Sequence, residues 1–371
     1  MALATGVAVA NIYYNQPMLG IIHRAFPGSA IPGLIPTATQ IGYAAGILLL
    51  LPLGDLMDRR RLIVGQFLVL ALALVLAAWA PTAAGLLAAS VVVGVGSAVA
   101  QQIVPFAASL AAPESRGRAI GAVMSGLLCG ILLSRTLAGF VAAQWGWREM
   151  FGLSVPLALS TAVLMAMALP RGQPSARVGY AEALRSLAHL WRHEPRLRIA
   201  TLAQAGLFAS FSVFWTILAL HLEGPPFHRG PDVAGLFGIL GAAGVFAAPL
   251  AGRIADRRGP QLTIWIGAAA VLASWAIFGL IDTLGGLVIG VVLLDFGVQS
   301  ALVSHQHVIY ALRPEARSRL NTVFVTGMFL GGAIGSAVAI VAWRLGGWSA
   351  VTLWGAATAI FVIALRWINR L

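Results

Sequence analysis

Apolar residues run through this 371-residue chain in long blocks that never settle into strict alternation. Breaks rich in Arg, Pro and Gly divide them into twelve: 1–22, 36–54, 62–80, 83–110, 118–144, 150–169, 198–222, 232–252, 260–281, 284–311, 319–343 and 348–368. Each block is near or above the roughly 20 residues that a helix needs to cross a bilayer. Barrel strands would alternate over about ten residues, and these runs are longer. The pattern predicts an all-α polytopic membrane protein with twelve transmembrane helices.

Composition agrees: 59% of residues are hydrophobic, 10% are charged, and the mean hydropathy is +0.89. Soluble domains carry about a quarter charged residues. The net charge of +12 would suit nucleic acid only if the cations were clustered. All 24 basic residues are Arg, and all but Arg135 sit between apolar runs or at their edges. Loops 2–3, 4–5, 6–7, 8–9 and 10–11 plus the C-terminus hold 19 of them, whereas the opposite loops hold 4. That asymmetry is the positive-inside pattern, which predicts both termini and the 170–197 loop in the cytoplasm and no nucleic-acid partner. The single Cys129 has no partner for a disulfide or a Cys-rich metal site. No cofactor or metal is expected, and no nucleotide-binding motif points to ATP as an energy source. Met1 opens directly on the first apolar run, so an upstream start stays open.

The chain repeats itself. GDLMDRRR (54–61) and GRIADRRG (252–259) both read Gly-x-hydrophobic-x-Asp-Arg-Arg, and PESRGR (113–118) is matched by PEARSR (314–319). Both pairs are offset by about 200 residues. Parallel repeats of six helices, related about an axis normal to the membrane, describe one transporter architecture. The expected organisation is an N-terminal six-helix bundle over 1–169, a cytoplasmic linker over 170–197 and a C-terminal six-helix bundle over 198–371. Within the linker, AEALRSLAHLWRHEPR reads as a short amphipathic helix at the membrane surface.

On these residues the chain resembles the major facilitator superfamily over essentially its whole length. The loop signature at Gly54, Leu56, Asp58 and Arg59, with its echo at Gly252, Asp256 and Arg257, carries the resemblance. It is similar in particular to a bacterial branch near the drug/proton antiporters. That narrower likeness rests on Asn-x-Tyr-Tyr-x-Gln-Pro in helix 1 (Asn11 to Pro17), Gly130–Arg135 in helix 5, and Arg319–Thr322 with Phe329–Ser336 in helix 11. Three features depart from the family pattern. Arg61 stands where the loop motif usually has Gly, helix 4 lacks the Arg of proton antiporters, and helix 5 lacks their Gly-Pro pair. The resemblance implies a monomer in the bacterial cytoplasmic (inner) membrane.

Candidate chemistry begins with charge at membrane depth. Arg135 and Asp295 are the two charged residues expected deep within spans, where each costs roughly 2.5–3.5 kcal/mol and so tends to face a cavity and a partner. Gln299 and Gln306 follow Asp295 on one stripe of helix 10. A carboxylate away from water holds a proton more readily, so Asp295 is expected as proton carrier or cation anchor. Arg135 needs a carboxylate, carbonyl groups or an anionic substrate. His305 and His307 are read as solvated residues at a helix tip rather than a relay.

In helix 1, Asn11, Tyr14 and Asn15 form one polar face, Tyr13 and Gln16 another, and Pro17 leaves the Tyr13 carbonyl without an amide partner. These groups either line a cavity or bond between helices. Since helices 1, 4, 7 and 10 line the pathway in the superfamily, resemblance favours lining, and Gln101 and Gln102 on helix 4 fit the same reading. Phe208, Phe211, Phe214 and Trp215 on helix 7 suit an aromatic wall or core packing equally. Asp58 and Asp256, expected at helix ends, would by resemblance hold an inner gate with Arg59, Arg257, Arg116 and Arg317, or else simply set topology. Gly327, Gly331 and Gly335 make a small-residue stripe for close packing.

These readings converge on a secondary transporter working by alternating access, with protons and a small-molecule substrate as partners. Export of a small amphipathic molecule is favoured over proton symport or facilitated diffusion of a metabolite. A membrane enzyme or non-transporting sensor on the same scaffold is the alternative from another class.

Overall fold

The computed structural model describes residues 1–170, 179–241, 252–253 and 257–369. Among the described residues every regular element is helical. Two compact units account for the chain, Met1–Ser186 and Leu187–Leu371.

In the first unit, α1 (Ala2–Tyr13) and α2 (Asn15–Ala25) make one span broken only at Tyr14. Pro17 lies three positions beyond the break and cannot donate to the Tyr13 carbonyl, which is why the hydrogen-bond ladder lapses there. The chain continues through α3 (Ile35–Leu50), a short α4 (Leu53–Leu56), α5 (Arg59–Ala78), α6 (Ala83–Ser97), α7 (Val99–Leu110), α8 (Arg116–Gln144) and α9 (Trp147–Ala168). Thr82 caps α6 by accepting from the Gly85 amide. Next comes α10 (Tyr180–His193), whose Tyr180 hydroxyl donates to the Leu49 carbonyl and whose Leu187 and Leu190 are buried.

The second unit contains α11 (Pro195–Glu223), α12 (Pro231–Leu240), α13 (Pro260–Leu280), α14 (Leu284–Leu312) and α15 (Arg317–Asn369). The last is two spans, because Gly346 and Gly347 leave helical geometry and Gly347 takes φ 58° with ψ −146°. Only glycine adopts that conformation without strain. Nine helical stretches among the described residues are long and apolar enough to cross a membrane, α15 counting once. Dividing α15 at its glycine pair and adding the α1–α2 span gives eleven such stretches among the described residues, and the shorter apolar α12 stands where the sequence places its eighth block.

The burial pattern is that of a lipid-embedded bundle. Leu68, Leu72 and Leu76 on α5, Val163 and Met167 on α9, and Ile334, Leu353 and Ile360 on α15 are exposed. Inside, small residues bring backbones together. A Cβ on Gly6 of α1 would lie 2.7 Å from the Gly126 carbonyl oxygen of α8. In the second unit, a Cβ on Gly331 or Gly335 of α15 would come within 2.7 Å of the Cα of Ala205 or 2.6 Å of that of Ala209, both on α11.

Candidate functional site

The first unit surrounds its one deep charge with helix-1 chemistry. Arg135, on α8, is 2% exposed. Its Nε donates to Gln16 Oε1 at 2.7 Å, and its guanidinium carbon stands 4.5 Å from the centre of the Tyr13 ring. Tyr13 and Gln16, three residues apart, therefore meet one cation. A neutral amide oxygen and an aromatic face both help to offset the desolvation of the guanidinium. A charge-assisted hydrogen bond contributes roughly 1.5–3 kcal/mol and a desolvated cation–π contact about 2 kcal/mol.

The other polar residues of this break are buried too. Asn11 Nδ2 donates to the Val7 carbonyl at 2.7 Å, and Asn15 Nδ2 reaches the Ile12 carbonyl and Thr39 Oγ1 of α3. The carbonyl oxygens of both asparagine side chains lack a hydrogen-bond partner. Tyr14 is 3% exposed and hydrogen-bonds Ser154 of α9.

On α7 the two neighbouring glutamines part company. Gln101 is half-buried and donates to the Tyr43 hydroxyl at 3.1 Å. Gln102 is buried and donates to the Leu50 carbonyl at 2.6 Å, closing the C-terminal end of α3. A Cβ on Gly54 would sit 2.6 Å from Gln102 Oε1, so the glycine of the loop motif makes room for that amide. Arg59 completes the corner: Nε donates to the Gly54 carbonyl at 2.8 Å, Nη2 to Asp55 at 2.5 Å, and the guanidinium lies over Phe106. Asp58 corrects the expectation drawn for it. It does not end a helix but begins one, accepting from the Arg60 amide at 2.9 Å as N-cap of α5. The acid paired with Arg59 at the helix end is Asp55.

In the second unit Asp295 is 5% exposed on α14. The Trp215 indole of α11 donates to Asp295 Oδ1 at 3.3 Å, and a Cβ on Gly241 would lie 2.5 Å from Oδ2. Gln299 and Gln306 are half-buried. The helix-7 aromatics divide: Phe208 and Phe211 stack at 5.2 Å, whereas Phe214 stacks on Phe278 of α13 at 4.6 Å within the core. Asp256 lies outside the described residues. Arg257 and Arg116 are exposed, as is Arg317, whose Nε donates to the Tyr310 carbonyl.

Two further groups in the second unit lie deeper than the sequence suggests. His305 is no solvated tip: it is fully buried, with Nδ1 3.0 Å from Gln204 Oε1 of α11. His307, two residues on, is exposed as expected. Arg366, counted among the C-terminal charges in the sequence, is 5% exposed, donates to Gln261 and stands over the Trp265 ring. The sequence signal available for His305 is Gln204, an isolated amide in an otherwise apolar stretch of the partner helix. No group of three or more His, Cys, Asp or Glu among the described residues could hold a metal ion.

The Major Facilitator Superfamily model matches residues 1–311. The uncharacterized transporter YgaY of Escherichia coli K12 is 41% identical over 374 residues, spanning 99% of this chain and 94% of that protein. A multidrug resistance protein B homolog of Mycobacterium tuberculosis is 27% identical, over 83% of this chain and 66% of that one. Among solved structures, a D-xylose-proton symporter superposes with a TM-score of 0.76 at 17% identity, over 97% of this chain and 95% of the symporter. The chain belongs to the major facilitator superfamily.

Proposed function

We propose that this membrane transporter is a secondary active carrier that works by alternating access and exports a small amphipathic organic molecule in exchange for protons. The observation that carries the reading is Asp295, a carboxylate 5% exposed at membrane depth with an indole N–H as a neighbour. A group so placed changes charge at low cost only by taking up a proton, and intramembrane acids mark proton and cation pathways. Likeness to a multidrug resistance protein supports export over uptake. Family membership makes the chain a transporter rather than an enzyme.

In this proposal Asn11, Tyr13, Tyr14, Asn15, Gln16, Gln101, Gln102, Arg135, Gln299 and Gln306 bind substrate. Asp58, Arg59, Arg116, Asp256, Arg257 and Arg317 bias the inner gate. The bundles over 1–169 and 198–371 act as the moving bodies, joined through 170–197. The carrier is a monomer of the bacterial cytoplasmic membrane, with both termini in the cytoplasm.

The test is transport by proteoliposomes across an imposed pH gradient, wild type against Asp295→Asn, with a panel of lipophilic cationic dyes. Proton-coupled export predicts gradient-driven dye movement that the variant loses while still exchanging dye down its own gradient. Undiminished coupling in the variant removes Asp295 from the proton path. The second reading, proton symport of a metabolite, predicts movement of solute and protons in the same direction.

A further inference from the structure

A cavity of about 320 Å³ opens within the second unit, away from Asp295. Its lining comes from four helices: Arg196, Ile199 and Ala200 of α11, Gln261 of α13, His305 and Val308 of α14, and Arg366 of α15. His305 follows Asp295 by ten residues, which displaces it about 15 Å along α14 and roughly 80° around it. The cavity thus belongs to neither the proposed proton group nor the glutamine stripe.

Three features give the cavity a chemistry. It has two guanidinium groups, one exposed (Arg196) and one buried (Arg366), and no carboxylate among the described lining residues. Gln261 holds the buried guanidinium in place by accepting from it. The third feature is His305 Nε2, which is buried and has no hydrogen-bond partner. Gln204 takes the Nδ1 edge of that ring and is not among the described lining residues, which leaves the edge with Nε2 as the one to meet a ligand once the lining gives way around it. Because an amide oxygen only accepts, Nδ1 holds the proton and Nε2 of the neutral ring offers a lone pair. A buried acceptor left unmet carries the full desolvation penalty of that group, which a donor would remove.

A ligand for this cavity must therefore bring oxyanion charge for arginine and an acidic O–H for His305. A carboxylate or sulfate supplies the first and lacks the second at neutral pH. A phosphate monoester supplies both: guanidinium forks match its oxygens, and its protonated oxygen can donate to Nε2. We infer that this cavity is a binding site for a phosphate-monoester group, held by Arg196 and Arg366 and read by His305. The group can arrive on a soluble phosphorylated molecule or as the headgroup of phosphatidic acid, whose chains would leave past Ile199, Ala200 and Val308.

The experiment uses the purified full chain in detergent and in nanodiscs. Inorganic phosphate is expected to raise the unfolding midpoint, with sulfate, acetate and chloride at matched ionic strength raising it less. Arg196→Gln, at the exposed mouth, and His305→Phe are each expected to weaken the apparent phosphate affinity about tenfold, the scale of one charge-assisted hydrogen bond. In wild type the ¹⁵N resonance of His305 Nε2 should move on phosphate addition, a readout that requires no variant to fold. The two sources separate in nanodiscs. Native mass spectrometry that finds phosphatidic acid retained over phosphatidylcholine, and lost in Arg196→Gln, supports the lipid. Displacement of that lipid by millimolar phosphate, or phosphate binding without lipid retention, supports the soluble ester. Equal stabilisation by sulfate and phosphate, a stationary Nε2 resonance, or unchanged affinity in Arg196→Gln overturns the inference.

Discussion

The contact between Gln16 and Arg135 lends itself to a quantitative test, because a neutral side chain on α2 supports a guanidinium 119 positions away on α8. Replacing Gln16 with Leu keeps most of the volume and removes the acceptor at 2.7 Å from Arg135 Nε. With Arg135 at 2% exposure, water cannot step in without opening the packing. The expected loss is that of a hydrogen bond to a buried charge, about 1.5–3 kcal/mol. Tyr13→Leu removes the aromatic face and should cost about 2 kcal/mol. The sharper quantity is the coupling. In an Arg135→Leu background there is no charge left to satisfy, so Gln16→Leu should cost under about 0.5 kcal/mol, the level at which independent sites add. Equilibrium unfolding of the purified chain in mixed micelles, followed by tryptophan fluorescence through a graded rise in denaturing detergent, measures all three. If Gln16→Leu costs the same with and without Arg135, the amide acts by packing and the electrostatic account of this site is wrong.

Gln102→Leu should strip the Leu50 carbonyl of its side-chain donor and destabilise the first unit by about 1–3 kcal/mol, read by the same unfolding titration. Arg59→Ala should change stability by no more than about 1 kcal/mol, since its partner Asp55 is half-exposed and such pairs are screened; a much larger loss would show that the fold depends on this corner. Gly347→Ala forces a β-carbon onto φ 58° with ψ −146° and should cost roughly 1–3 kcal/mol, seen as a lower thermal midpoint.

Span number and class are legible because a helix in lipid must be apolar for about 20 residues, a constraint written locally into each run. The break in the first span is legible for a similar reason, since Pro17 acts on a carbonyl four residues away. Contacts set by tertiary packing are not. Nothing near Gln16 names Arg135 as its neighbour, and nothing near Trp215 names Asp295, 80 residues on. His305 reads as solvated because it lies near the cytoplasmic end of the apolar block 284–311. The helix ends at Leu312, within a residue of that boundary, but the ring turns inward on Gln204. Arg366 misleads in a similar way: it counts among the C-terminal charges, yet its side chain lies on Gln261 and Trp265. Asp58 falls at the right corner and on the wrong helix, because Asp-Arg-Arg reads equally well as the end of one element or the cap of the next.

The repeat shows which part of this chain two halves must share and which part they are free to vary. Glycine against backbone recurs at equivalent helices, Gly6 with Gly126 in one unit and Gly331 with Ala205 in the other. Close helix approach in lipid depends on small residues whatever the cargo, so duplication preserves it. Polar chemistry is not duplicated. At the repeat offset Arg135 is answered by Ser336, a neutral hydroxyl bonded to Thr216 at 2.9 Å. Asp295 likewise has no acid on α6, which carries only Ser90 and Ser97 as polar residues. A shared scaffold that buries Arg135 in the first unit, and Asp295 with Arg366 in the second, is what divergence produces once the two copies no longer need to bind the same thing. Transplanting the acid makes the point testable. Ser97→Asp places a carboxylate on a fully buried position whose present hydroxyl is satisfied by the Val93 carbonyl, a group that cannot donate to the new acid. The variant should lower the yield of folded protein in size-exclusion profiles. If it instead folds at wild-type yield and carries an extra proton per transport cycle, the two units have kept interchangeable chemistry and the divergence reading fails.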